Sequence, residues 1–208
     1  LRDVAGDPRF DGIIEHGQYV DAASPYGYGG WLVEGEGMND LFAAYEHWCR
    51  RVGVISEFVR FHPLIKNHTG CQGFYDVVQL GEVVHMDLDS PEDIWANMTS
   101  KNRNMVRKAR KAGVRVYNGR YPEAYLTFRS IYDATMDRDC ANAYYYFDED
   151  FYRSILEDLP QNAQVFWAEF EGVPIAASIM LACNGQMDYH LSGSVRKYSS
   201  LAATNLIL

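Results

Sequence analysis

Apolar residues recur along this chain with two different periods. A spacing of three to four residues predicts four helices, over residues 39–52, 91–112, 122–138 and 148–159. Each begins at a residue that commonly caps or opens a helix, and three of them are followed directly by Gly or Pro. A fifth helix is predicted to begin near Ser199.

Strict alternation of apolar and polar residues predicts strands between these helices. Before the third helix the predicted strands are residues 54–64, 75–80, 82–88 and 114–117. After the fourth helix they are residues 163–170, 173–183 and 186–191. The pairs Glu171-Gly172 and Asn184-Gly185 predict two tight hairpins, because these residues suit the backbone of two-residue turns.

The order of these elements predicts an α/β protein in which helices pack on a mixed sheet. No apolar run is long enough to suggest a membrane span, and no signal peptide is visible. The chain begins at Leu1 and breaks off at Leu208 within an apolar helical run. We therefore expect it to be a piece of a longer protein.

Residues 100–113 form a strongly basic segment in an acidic protein. The segment carries six cationic side chains and no acid, whereas the chain has a net charge of −9. Arg103, Arg107 and Arg110 fall in one row on the predicted helix. Such a row indicates an anionic partner, or else internal pairing with acids such as Asp133, Asp137 and Asp139.

The net charge and the cysteine and histidine positions limit which ligands and metals are expected. The acidic balance argues against general coating of nucleic acid, although it permits one basic groove for a phosphate or an RNA end. The four cysteines are scattered, which favours free thiols in a reducing compartment. His62, His68 and Cys71 match no zinc spacing, so no metal is expected.

A glycine-rich stretch precedes the first predicted helix. Gly27, Gly29 and Gly30 alternate there with Tyr26 and Tyr28. Glycine permits backbone conformations and close approaches that other residues do not. The stretch is therefore either a tight structural loop or a loop whose amides touch a ligand on which the tyrosines stack.

Taken together, four segments resemble the Fem-type peptidoglycan-bridge aminoacyltransferases, within the Gcn5-related N-acyltransferase superfamily. They are SPYGYGG, SEFVRFHPL, SKNRNMVRKARKAGVRV and EGVPIAASIMLACNGQMDYHLSGS, and the resemblance covers residues 20–208. It implies tandem acyltransferase-fold domains. Residues 1–82 would then be the C-terminal part of the first domain, and residues 83–208 a second domain truncated at its last helix.

The resemblance also implies an activity. Enzymes of this family move an amino acid from aminoacyl-tRNA to an amine on the stem peptide of a cell-wall precursor, without a metal or a covalent enzyme intermediate. The implied partners are aminoacyl-tRNA and a nucleotide-linked or lipid-linked precursor, with no further cofactor. The implied location is the cytoplasm, with peripheral association at the inner membrane face as an option.

Particular residues take roles from the same resemblance. In the substrate site it implies Tyr26, Tyr28, Glu57, Arg60, Lys101, Arg103, Arg107 and Lys108, with Arg103 and Arg107 near the precursor pyrophosphate. In the reaction centre it implies Tyr189, His190 and Ser192, where His190 is the side chain able to move protons near neutral pH. A sheet histidine with a purely structural hydrogen bond is the alternative for His190.

Three other functions stay open. The first is an N-acyltransferase that uses acetyl-CoA, for which the family pattern places a glycine-rich loop before the last helix. Here Lys197–Ala202 has Ser199 in place of the first glycine, which favours another donor. The second is a non-catalytic module that binds a nucleotide sugar or RNA, and the third is a structural fragment without a ligand.

Overall fold

A computed structural model describes residues 1–208, which fold as two compact units, Leu1–His85 and Met86–Leu208. The first unit contains one helix and a three-stranded sheet: β1 (Arg2–Asp3), β2 (Val20–Ala23), α1 (Met38–Val52) and β3 (Val54–Phe58). The strand order is β1-β2-β3. β1 is antiparallel to β2 and β2 is parallel to β3, so this sheet is mixed.

The second unit contains five helices and a four-stranded antiparallel sheet of order β4-β5-β6-β7. Its elements are α2 (Pro91–Asn97), α3 (Ser100–Ala112), β4 (Arg115–Gly119), α4 (Pro122–Arg138), α5 (Glu149–Asp158), β5 (Ala163–Phe170), β6 (Val173–Cys183), β7 (Gln186–Ser194) and α6 (Ala203–Ile207). Short 3-10 helices lie at Val4–Gly6, Pro8–Phe10, Ala143–Tyr145 and Arg196–Leu201. None of the helices is both long and apolar enough to span a membrane.

Helices cover both faces of the second sheet. Ala176 of β6 packs in one buried cluster with Ala109 of α3 and Ala203 of α6. The next residue, Ala177, pairs with Gly193 of β7. Gly193 lies directly against α4, because a Cβ added to it would be 2.9 Å from the Ile131 carbonyl oxygen. Because successive residues of a strand point to opposite faces, α4 lies on the other side of the sheet from α3 and α6.

Much of the predicted secondary structure is confirmed, including the α/β class. The residues at helical spacing in α4, Ala124, Phe128, Ile131 and Thr135, are all buried. Both hairpins form at the predicted dipeptides, with φ of 52° and 75° at Glu171 and Gly172 and of 49° and 74° at Asn184 and Gly185. Positive φ at both central residues is the property for which Asn-Gly turns are selected.

The single helix predicted over residues 91–112 is wrong, since the chain breaks it at Met98. Met98 adopts an extended backbone, and the Thr99 side chain caps the next helix by accepting the Asn102 N–H. The outer bounds of the prediction are confirmed, because Ser90 caps the first of the two helices and Gly113 ends the second. The helical spacing of apolar residues runs through the break, which is why the pattern alone missed it.

The strands predicted at 75–80 and 82–88 are also wrong, as is the continuation of β3 to residue 64. Residues 76–89 form no strand, and Val84 is fully exposed at 101 %. Beyond Phe58 only an isolated bridge joins Phe61 to Gly29. A strand needs a continuous hydrogen-bonded ladder to a neighbour as well as an alternating pattern, and these residues form no such ladder.

Candidate active site

The three predicted catalytic residues lie together on β7, where the strand is irregular. Ile179 of β6 pairs with Leu191, but Met180 pairs with Tyr189, so His190 is the extra residue of a β-bulge. Bulges of this kind re-aim side chains and are common beside active sites. Burial lowers the pKa of His190, and the charge of Asp188 partly opposes that shift.

The bulge also decides which side chains share a face. Ser192 pairs with Ser178 and Tyr189 pairs with Met180. Since Ser178 and Met180 are two residues apart on β6, their partners lie on the same face of the sheet. Strict alternation along β7 would instead have placed Tyr189 and Ser192 on opposite faces. The structure therefore brings two of the predicted catalytic side chains onto one face.

Ser178 is a further polar residue of this face, and no motif in the sequence pointed to it. It is fully buried, and its hydroxyl has no hydrogen-bond partner. Buried polar atoms without a partner are uncommon in native proteins and call for an explanation. The only signal in the sequence is a serine within an otherwise apolar run of β6.

The packing of α4 fixes the C-terminal end of β7. The Thr135 hydroxyl accepts the Ser194 N–H at 3.0 Å, and the Arg138 guanidinium donates to the Ser194 carbonyl oxygen at 2.7 Å. The close approach of β7 to α4 requires glycine at position 193, because the Cβ of any other residue would lie 2.9 Å from Tyr132 Cα. The bulged strand is thus held against α4 at its C-terminal end.

The four predicted cations of α3 occupy different environments. Lys101, Arg107 and Lys108 are exposed, whereas Arg103 is half-buried. The Arg103 guanidinium bonds to the carbonyl oxygens of Trp95, Ala96 and Met98, and so caps the C-terminus of α2. The Arg107 guanidinium lies 4.9 Å from the centre of the Trp95 ring.

Internal neutralisation of α3 was one interpretation of its charge, and the structure contradicts it. Asp133 pairs with Arg129, Asp139 pairs with Arg138, and Asp137 accepts the Tyr146 hydroxyl. The acids proposed to neutralise α3 are therefore engaged elsewhere. Arg107, exposed and stacked on Trp95, stays available to an anion from outside.

In the first unit, Tyr28, Glu57 and Arg60 line one groove, with Tyr45 and Tyr75. Glu57 accepts the Tyr45 hydroxyl at 2.9 Å and the Tyr75 hydroxyl at 2.8 Å. Tyr75 in turn accepts the Trp31 indole N–H at 2.9 Å. Burial is the main cause that raises the pKa of both tyrosines, so they remain hydrogen-bond donors at neutral pH.

The glycine-rich loop is held against the chain that follows β3. The Asn67 amide donates to the carbonyl oxygens of Gly29 and Trp31 at 3.0 and 3.3 Å. Gly29 N–H donates to the Arg60 carbonyl oxygen at 2.8 Å. Gly30 has a φ of 96°, and an added Cβ there would lie 2.8 Å from Phe61. These glycines meet a structural requirement, which was one of the two interpretations of the loop.

The two tyrosines of this loop differ in exposure. Tyr28 is 40 % exposed, and its ring lies 5.0 Å from that of His62. Tyr26 is half-buried on the same loop. Arg60 is exposed, and its backbone N–H donates to the Ser24 hydroxyl at 3.1 Å.

Comparison with known proteins places the chain in a family. The model of the FemAB family matches residues 60–172, more than half of the chain. The match includes Arg60 and the whole of α3, whereas β7 and the glycine-rich loop lie outside it. None of the curated proteins compared with the chain matches it significantly. On the extent of the family match, this chain belongs to the FemAB family of transferases.

Proposed function

We propose that the protein moves an amino acid from aminoacyl-tRNA to an amine on the stem peptide of a peptidoglycan precursor. The observation that carries the proposal is the FemAB match across α3. Both proposed substrates are anionic, and the matched region holds the one strongly basic helix of an acidic chain. Arginine suits such ligands because its guanidinium binds phosphate oxygens in pairs.

The cations of α3 differ in exposure and in hydrogen bonding, which suggests different roles for them. Arg107, with Lys101 and Lys108, is exposed and able to meet phosphate oxygens. Arg103 already bonds to the last carbonyls of α2, so we assign it the additional role of fixing α2 and α3 relative to each other. A phosphate contact by Arg103 would have to use Nε or Nη2, and Nη2 already donates to the Ser100 hydroxyl at 3.3 Å.

The proposed chemistry is direct aminolysis of the ester. The neutral acceptor amine attacks the ester carbonyl carbon, a tetrahedral oxyanion forms, and the C–O bond to the tRNA ribose breaks as the amide forms. One proton must leave the nitrogen and one must reach the departing ribose oxygen. We assign proton transfer to His190, and donation to the oxyanion to the hydroxyls of Tyr189 and Ser192.

The alternative donor, acetyl-CoA, receives less support from the local geometry. Residues Arg196–Leu201 form a 3-10 helix, and the amides of Tyr198 and Ala202 donate to Val195 and Ser199. These amides are thus used within the chain instead of forming an open cradle for a pyrophosphate. The following helix, α6, spans only Ala203–Ile207.

The decisive experiment incubates the full-length protein with charged tRNA and candidate precursors, and measures product mass. Addition of one amino-acid residue to the precursor is the expected result. Transfer of an acetyl group from acetyl-CoA, with none from charged tRNA, would replace the proposal by the alternative. Tight binding of precursor or tRNA without any product would indicate a non-catalytic binding module.

A further inference from the structure

The cations of α3 form no ion pairs, in contrast to many arginines elsewhere in the structure. Six of the chain's 19 lysine and arginine residues lie in α3. No acid lies within ion-pair distance of any of the six. In the rest of the chain, acids pair with Arg2, Arg9, Arg50, Arg129, Arg138 and Arg153. The positive charge of α3 is therefore left to act outward.

Three lysines form a row on the exposed side of α3. Lys101, Lys108 and Lys111 are all exposed, and their spacing of seven and three residues places them on one face of the helix. Val106 and Ala109, on the opposite side, are only 4 % and 0 % exposed. These three lysines, here called the lysine row, extend over about 15 Å along the helix axis.

The charge of α3 opposes the stability of the helix itself. The first turn contains Lys101 and no acid, although the helix dipole favours acids there. The other long helices, α1, α4 and α5, each carry an acid in that turn. Like charges three or four residues apart also repel each other, and such pairs are Arg103–Arg107, Arg107–Arg110, Arg107–Lys111 and Lys108–Lys111. An anion bound from outside would relieve this repulsion.

We propose that the lysine row binds the phosphate backbone of RNA, which under the proposed function is the tRNA that carries the amino acid. The identification of the RNA rests on the proposed function, whereas the anion-binding row rests on the structure. A row of about 15 Å can contact several successive phosphates of a nucleic-acid strand. The pyrophosphate of a cell-wall precursor is much shorter and would leave most of the row without a partner.

An anionic membrane is the other extended anion to consider, and the exposed side of α3 fits it less well. Helices that lie on a membrane bury apolar side chains between the lipids. The apolar side of α3 is already used within the protein, because Ala109 packs with Ala176 of β6 and Ala203 of α6. Only charge would remain to hold α3 on lipid.

Fluorescence anisotropy with the full-length protein tests the row without charged tRNA or precursor. The probe is a fluorescein-labelled, uncharged RNA hairpin with a single-stranded 3′ end. A variant combining Lys101→Gln, Lys108→Gln and Lys111→Gln should raise the Kd for this hairpin by about 100-fold at low salt. The slope of the logarithm of affinity against the logarithm of salt concentration should become shallower by about 1 for each lysine removed.

The matched control combines Arg9→Gln, Arg50→Gln and Arg153→Gln. It removes the same number of charges, but from exposed arginines that each pair with an acid outside α3. The control should bind the hairpin as the wild type does. An equal loss of affinity in the control would assign the effect to net charge and overturn the proposal.

A second variant separates the charge of the row from its effect on folding. Changing the same three lysines to arginine keeps the charge and should preserve the affinity for the hairpin. The glutamine variant removes repulsion within α3, so its melting temperature without RNA should not fall below that of the wild type. Loss of binding in the arginine variant would overturn the proposal.

The outcome is separable from that of the proposed function. Hairpin binding that depends on the lysine row, in a protein that transfers nothing from charged tRNA, would support the row and overturn the transfer reaction. Transfer with the same KM for charged tRNA in wild type and glutamine variant would do the reverse. The proposal would also be overturned if the wild type did not bind the hairpin. Cosedimentation with phosphatidylglycerol vesicles that required the row, with unchanged affinity for the hairpin, would replace RNA by a membrane surface.

Discussion

Thr135 of α4 and Ser194 of β7 are joined through one hydroxyl. The Thr135 oxygen accepts the Ser194 N–H at 3.0 Å and itself donates to the Ile131 carbonyl oxygen at 2.7 Å. Thr135 is 7 % exposed, so water cannot easily replace it. This contact holds the end of the strand that carries the three predicted catalytic residues.

Replacement of Thr135 by valine should therefore destabilise the protein. The change keeps the side-chain volume but leaves the Ser194 N–H unsatisfied, at a cost of about 1–3 kcal/mol in unfolding free energy. Thr135→Ser retains the hydroxyl and serves as the control. Urea denaturation of the three proteins gives the comparison, and equal stabilities of Thr135→Val and wild type would show that the contact contributes nothing.

Arg103 and Arg107 of α3 should separate stability from binding. Arg103→Ala removes bonds to the last carbonyls of α2 and should lower the unfolding free energy by about 1–3 kcal/mol. Arg107→Ala should cost less than about 1 kcal/mol, because it loses an exposed contact with Trp95. Under the proposed function both changes weaken binding of a pyrophosphate-bearing precursor, by about 1–3 kcal/mol each.

Thermal denaturation and calorimetry with the same preparations distinguish these effects. If Arg107→Ala binds the precursor as tightly as the wild type does, α3 loses its assigned role. If Arg103→Ala keeps full stability, the carbonyl contacts at the end of α2 are not what holds the two helices together.

In the groove of the first unit, Glu57 and Arg60 should likewise differ in their effects on stability and on binding. Glu57→Ala removes the acceptor of two tyrosine hydroxyls and should cost about 1–3 kcal/mol of unfolding free energy. Glu57→Gln keeps one carbonyl oxygen and should lie between this variant and the wild type. Arg60→Ala, at an exposed position, should leave stability unchanged.

Precursor affinity then assigns the roles. We expect Arg60→Ala to weaken binding more than Glu57→Gln does, because the Glu57 carboxylate already bonds to Tyr45 and Tyr75. The opposite order would show that Glu57 contacts the ligand directly.

The sequence predicted correctly those elements whose position depends on the backbone preferences of their own residues. The hairpin at Asn184-Gly185 and the start of α4 at Pro122 depend on backbone preferences of the residues themselves. The break at Met98 was missed because the helical spacing of apolar residues runs through it, and the contact from Arg103 that stabilises it shows only in the structure. Residues 82–88 were predicted as a strand because alternation reports propensity and says nothing about a partner.

In the candidate site, too, the features that depend on contacts between elements could not be predicted from the sequence. Sequence alone indicated that Tyr189 and Ser192 belong to one strand, but their common face depends on the bulge at His190. The oxygens without a hydrogen-bond partner are Oδ1 of Asp133 and the hydroxyls of Tyr152 and Ser178, and packing decides their surroundings. No spacing in the sequence could have shown that these oxygens lack partners, because their neighbours come from other elements.

His190 allows proton transfer and structural support to be separated by pH. Its pKa in the folded protein lies below the ordinary value of 6.5, mainly because of burial, so the folded state favours the neutral ring. The stability gained in this way is complete above pH 6.5 and is lost as the pH falls through the folded-state pKa. A His190→Gln variant cannot titrate there, so the stability of the wild type relative to the variant should decline as the pH falls below 6.5.

His190 should also affect the rate of aminoacyl transfer. A neutral His190 accepts a proton, and its lowered pKa should keep the wild-type rate high at a pH slightly below 6.5. His190→Gln should lose rate by about 10²-fold or more while its melting temperature at neutral pH stays near that of the wild type. An unchanged rate would assign His190 to the scaffold of β7, and the proton would then have to leave the amine by another route.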